Sequence, residues 1–162
     1  MKTQIEKVLL ESTVRTFEDL CFMYQEPELK DTQENLPLEA AAEVKYRSDD
    51  FTGKLLIETR GGLSSAIATN ILSNDDPSVQ QKKDALGEIA NIICGNIVPS
   101  LGEGGREYKI EPPRSLNKND LLKKEWQEEP VVEITLNFND GRADIKLFVD
   151  GYSAAAKEKK SD

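Results

Sequence analysis

Residues Val131–Phe138 and Ala143–Val149 alternate apolar and polar side chains around Asn139-Asp140-Gly141. Strict alternation puts every second side chain on one face of an extended strand, and Asn, Asp and Gly tolerate the backbone of a tight turn. Strands joined this closely must run antiparallel, and their apolar face needs a cover. Ala41–Arg47 and Lys54–Arg60, connected by Asp49–Gly53, give a second such pair. The chain is therefore expected to build an antiparallel sheet.

The cover comes from two long helical patterns. Residues 3–24 carry Ile5, Leu9, Thr16, Leu20 and Met23 on one stripe. Farther on, Leu86, Ile89, Ala90, Ile93, Ile97 and Leu101 recur at helical spacing up to Pro99 and beyond. Asn74-Asp75-Asp76-Pro77 is expected to start that helix, with a carboxylate at the cap. Gln25–Pro37 reads as a loop; Gly61-Gly62 breaks the second strand, and Ser64 or Ser65 can cap a short helix through Leu72. Tyr108–Glu111 is a short strand stopped by Pro112-Pro113, and Asn119–Trp126 a short helix. The order suggests one helix-plus-hairpin unit used twice. The fold class is α+β, an antiparallel sheet packed by two long helices. Residues 1–152 form one domain, and 153–162 a frayed, charged tail.

Composition closes several functional classes. Among 162 residues there is no histidine, which removes Ser-His-Asp and Cys-His nucleophile systems and the commonest transition-metal ligand. A net charge of −9 argues against nucleic acid or an anionic membrane as partner. No apolar run approaches the roughly 18 residues that span a bilayer, and no secretory signal opens the chain, so a cytoplasmic protein is expected. Cys21 and Cys94 fall beside apolar stripes and read as half-buried reduced thiols. Gly61-Gly62-Leu-Ser-Ser lacks the ending of a phosphate-binding loop, and no Ca²⁺ loop pattern occurs. No metal site is expected.

The second long helix has an unusual outer face. At about 100° per residue, Asp84, Glu88, Asn91 and Gly95 line up opposite the apolar stripe. Asn and Gly are poor helix formers, each about 0.5–1 kcal/mol worse than Ala. Aligned on an exposed face, they suggest a surface kept for contact. The plainer reading is that Asp84 and Glu88 favour the helix N-terminus and Asn91 is incidental.

Asp84-x-x-x-Glu88-x-x-Asn91, followed by Pro112-Pro113, resembles the signature of the CheC/CheX-type chemotaxis phosphatases. The segment Leu86–Asn96 looks like that family's motif helix, and the strand-then-helix of 53–72 and the closing hairpin sit where the family has them. The resemblance implies a protein aspartyl-phosphate phosphatase whose partner is a phosphorylated CheY-like response regulator. It gives Glu88 the role of contacting a lysine of the regulator and Asn91 that of positioning the attacking water. Asp84, Ile92, Gly95 and Val98 would flank the contact, with Ile92 and Val98 as exposed apolar residues. No cofactor of its own is implied; Mg²⁺ would sit on the regulator.

Residues 3–24 carry no Glu-x-x-Asn, so one active face is expected, as in the CheX-type branch, whose members are usually homodimers formed through their sheets. Either proline could match the family's. Two other readings stay open: a non-catalytic docking or switch module for a regulator or flagellar component, and a homodimerisation helix.

Overall fold

The computed structural model describes residues 2–102 and 107–150. The expected tail at 153–162 lies outside them. Helix α1 (Lys2–Cys21) precedes the strands β1 (Leu38–Ser48) and β2 (Thr52–Gly61), the helices α2 (Leu63–Leu72) and α3 (Val79–Ile97), and the short strands β3 (Tyr108–Ile110) and β4 (Arg114–Leu116). A single-turn helix α4 (Lys118–Leu121) leads to β5 (Val132–Phe138) and β6 (Gly141–Asp150). Both hairpins form where alternation placed them. They join through β2 and β6 into a six-stranded antiparallel sheet of order β3-β1-β2-β6-β5, with β4 also on β1. The fold is the expected α+β class.

One face of this sheet meets the helices. Val44, Leu55, Ile57, Ile145, Leu147 and Leu136 bury against Leu9, Phe17, Leu63, Ile67 and the whole α3 stripe. The expected α3 residues Leu86, Ile89, Ala90, Ile93, Ile97 and Leu101 are all buried. The α1 stripe needs one correction, because Leu20 is 39% exposed. In the last turn of α1 packing shifts to Phe17 and Cys21, Phe17 lying 4.7 Å from the Phe138 ring centroid. Both cysteines are fully buried, not half-buried, and burial pushes each thiol up to about 12.

The helix starts also differ from expectation. Neither Ser64 nor Ser65 caps α2: Gly61, at φ 74°, turns the chain so that Gly62 takes the cap position. Glu39 of β1 instead accepts the Ser64 N–H at 2.7 Å. Helix α3 is capped by Ser78 and not by an acidic residue, with Gln81 completing a reciprocal capping box. The loop 25–37 contains short 3-10 turns at Pro27–Leu29 and Asp31–Gln33. The short helix expected at 119–126 divides into α4 and a 3-10 turn at Lys124–Trp126.

The other sheet face carries a smaller cluster of Ala41, Leu56, Leu116, Trp126 and Phe148, with the Lys54 ammonium 4.1 Å from the Trp126 ring. Beside it lies a charge network. Asp144 accepts from Thr135 Oγ1 (2.7 Å), Arg60 Nε (3.1 Å) and Arg142 Nη2 (2.9 Å). Burial alone would raise the Asp144 carboxyl, but the bonds from Arg142, Thr135 and Arg60 outweigh it and hold the group below its ordinary 3.8. A depressed carboxyl stabilises the fold above its unfolded pKa, and that contribution is lost as pH falls through the folded value. Asp144→Asn should therefore lower stability at neutral pH by about 2 kcal/mol. The gap between the melting curves of variant and parent should begin to narrow below about pH 4 and close only below the folded value; a gap independent of pH would show that the charge contributes nothing.

Candidate functional site

Helix α3 lies over β1 and packs against α1 and α2. Against its flank runs the chain from Tyr108 to Leu116, which closes the free edge of β1 in two pieces. Ile110 pairs with Tyr46 and Arg114 with Glu43, so Glu111, Pro112 and Pro113 oppose only Val44 and Lys45. Prolines have no N–H for the ladder, and the edge strand bulges at them. Glu111 still donates to Lys45 O at 2.9 Å. The bulge brings the Pro113 ring onto Gly87: a Cβ at Gly87 would stand 3.2 Å from Pro113 Cγ. Two turns along, a Cβ at Gly95 would lie 4.0 Å from Ile110 Cδ1. Of the two prolines, Pro113 is the one seated on α3.

On the open side of α3, beside this chain, a strip holds Asp84 and Glu88 (exposed) and Asn91, Ile92 and Gly95 (half-buried); Gln80, Gln81, Lys83 and Asn96 are exposed too. Gly87, Asn91 and Gly95 follow one another at i, i+4, i+8, so the carboxamide stands in a row between two residues without side chains. Glu88 is its neighbour at i−3, about 5–6 Å away between Cβ atoms. Gln80 Nε2 donates to Asp84 Oδ1 at 2.8 Å. Among the described residues, no hydrogen bond or ion pair engages the side chains of Glu88 and Asn91. The strip thus offers a free carboxylate and a free amide, able to donate and accept at once, on a convex surface beside a flat one.

Five of the six residues anticipated for this face come together there; Val98 does not. It is 1% exposed. Past Ile97 the chain tightens into a 3-10 turn, Val98–Ser100, which folds Val98 into the core instead of leaving it for contact. The sequence reading missed Gly87, whose signal was its i−4 spacing from Asn91 ahead of a double proline. Among the described residues no group of His, Cys, Asp and Glu side chains is arranged to hold a metal ion.

The family model described as chemotaxis phosphatase CheX matches residues 42–137. No curated protein matches the chain by sequence. Among solved structures, the chain is similar to the chemotaxis protein CheX from Vibrio vulnificus, with a TM-score of 0.70 and 15% identity over 93% of this chain and 99% of that one. The CheX protein from Desulfovibrio desulfuricans follows at TM-score 0.67 and 18% identity, covering 91% and 99%. A CheX-CheY-BeF3-Mg²⁺ complex from Borrelia burgdorferi gives TM-score 0.58 and 14% identity, covering 89% and 96%. At these identities the likeness to solved structures is one of fold.

The two glycines of the row should respond oppositely to substitution. Gly87→Leu inserts a side chain where Pro113 sits and should cost about 1–3 kcal/mol despite leucine's better helix propensity. Gly95→Ala makes only an ordinary van der Waals contact with Ile110 and should be neutral or stabilising by up to about 1 kcal/mol. Urea midpoints distinguish the two; equal effects would mean that the Pro113 contact does not constrain α3.

Proposed function

The chain belongs to the chemotaxis phosphatase CheX family, and from that premise we propose that it hydrolyses the aspartyl phosphate of a CheY-like response regulator. The observation that carries this reading is the unpartnered amide of Asn91, set between Gly87 and Gly95 with the Glu88 carboxylate one turn away on the open strip of α3. A convex helix face cannot enclose a small substrate but can lie against another protein's active site. The acyl phosphate is already reactive, and the regulator supplies Mg²⁺ and a lysine, so the missing element is a water held in line.

Asn91 suits that task. Its carbonyl oxygen accepts a hydrogen bond from the water while its NH₂ faces a phosphoryl oxygen, and it brings no negative charge to repel the phosphate. Glu88 would pair with the regulator's lysine and fix the register of docking. Gly95 lets the partner's surface come close, and Ile92 adds half-buried apolar contact. Asp84 would lie at the N-terminal rim. The same reading takes the protein as a cytoplasmic homodimer. No helix among the described residues is long and apolar enough to cross a membrane.

The test is the decay of a regulator phosphorylated on its aspartate. Wild-type protein should accelerate it, and Asn91→Ala should abolish the acceleration; a hundredfold effect corresponds to about 2.7 kcal/mol. Glu88→Ala should weaken binding of the regulator more than turnover. If the phosphorylated regulator binds but its lifetime does not change, the protein is a docking module and the phosphatase reading fails.

A further inference from the structure

The edge chain that seats Pro113 on α3 runs on beside the open strip. Ile110 pairs with Tyr46, whose side chain belongs to the core beneath the helices, and Ile110 Cδ1 lies 4.0 Å from where a Cβ at Gly95 would stand. Side chains alternate between the faces of a strand, so Tyr108 shares the helix side with Ile110 while Lys109 points to the other face. Pro113, Ile110 and Tyr108 thus form an apolar border to the strip, from the level of Gly87 to that of Gly95 and past it.

Ile110 is half-buried against the core, but Tyr108 is 45% exposed. Among the described residues neither a side-chain hydrogen bond nor a ring contact engages it. An aromatic ring left half in water on a three-residue edge strand contributes little burial to the fold. Strand preference favours an aromatic residue here, yet threonine would meet that preference without exposing a ring. The strip itself is short of contact area: two carboxylates, a carboxamide and a glycine can register and position a partner, and only Ile92 is apolar. Interfaces draw most of their energy from a few large side chains, tyrosine prominent among them, set beside the polar groups that give orientation. On this face Tyr108 is the residue of that kind.

Resting on the reading of α3 as the face that docks a response regulator, we infer that Tyr108 anchors that docking, packing against an apolar side chain that the regulator presents beside its phosphorylated site. Asn91 then holds the water, Glu88 sets the register and Tyr108 supplies affinity. The test is a calorimetric titration with a CheY-like regulator activated by beryllofluoride and Mg²⁺, alongside the decay of the same regulator phosphorylated on its aspartate. Tyr108→Thr keeps the strand preference and removes the ring. It should raise Kd, and the KM of dephosphorylation, by about tenfold and leave kcat unchanged. Lys109→Thr, on the opposite face of the same strand, should alter neither, and both variants should melt with the parent. An unchanged Kd in Tyr108→Thr, or an equal loss in Lys109→Thr, would overturn the inference. So would a fall in melting temperature in Tyr108→Thr, because the ring would then serve the fold. If the parent binds the regulator without shortening the lifetime of its phosphate, the phosphatase reading fails while Kd still decides the role of Tyr108. If the parent does not bind it, both fail.

Discussion

Two adjacent prolines cannot donate to a β-ladder, and the geometry of the α3 site follows from where they interrupt one. The chain that closes the edge of β1 must leave it at Pro112-Pro113 and return one residue out of register. The bulge pushes Pro113 outward onto α3, and only a residue without a side chain at position 87 lets the ring come that close. Sheet edge, helix and site are thereby connected through a single contact. The break also blunts the edge, since the short pieces β3 and β4 offer no long free strand for another chain to pair with.

The same contact explains why the site is small. The sheet, the neighbouring helices and the edge chain take up one side of α3, and beside the edge chain the strip of Asp84, Glu88, Asn91, Ile92 and Gly95 stays open. On that strip the residues are poor choices for a helix and good ones for close approach: an amide, a glycine and two carboxylates. Helix stability comes instead from the buried stripe Leu86–Ile97 and from the Ser78–Gln81 capping box. The functional face can depart from helix-forming preference because the hidden face and the cap carry the structure.

The two faces of the sheet divide the work differently. Beneath the helices the packing is apolar and encloses both cysteines, whose raised pKa values leave them as inert core residues. On the other face the charges Glu58, Arg60, Arg142, Asp144 and Lys146 satisfy one another. Groups paired within the fold make few demands on a partner. The amide of Asn91, without a partner among the described residues, is the opposite case, and it sits where the surface is open to another molecule.

The alternation of 131–149 and the helical period of 86–101 determined by themselves that an antiparallel hairpin and a half-buried helix would form, because each depends only on residue spacing along the chain. The same period put Asp84, Glu88, Asn91 and Gly95 on one outer face. Tertiary structure decided the rest. Val98 has the right spacing for the outer face, yet the tightened turn after Ile97 buries it. Leu20 sits on the apolar stripe and emerges, because the end of α1 packs through Phe17 and Cys21. Arg114–Leu116 carries no strand pattern of its own and becomes a strand because β1 presents an unpaired edge beside it. The choice of Pro113 over Pro112, and the need for glycine at 87, arise only when two segments more than twenty residues apart are pressed together; no local spacing encodes that distance.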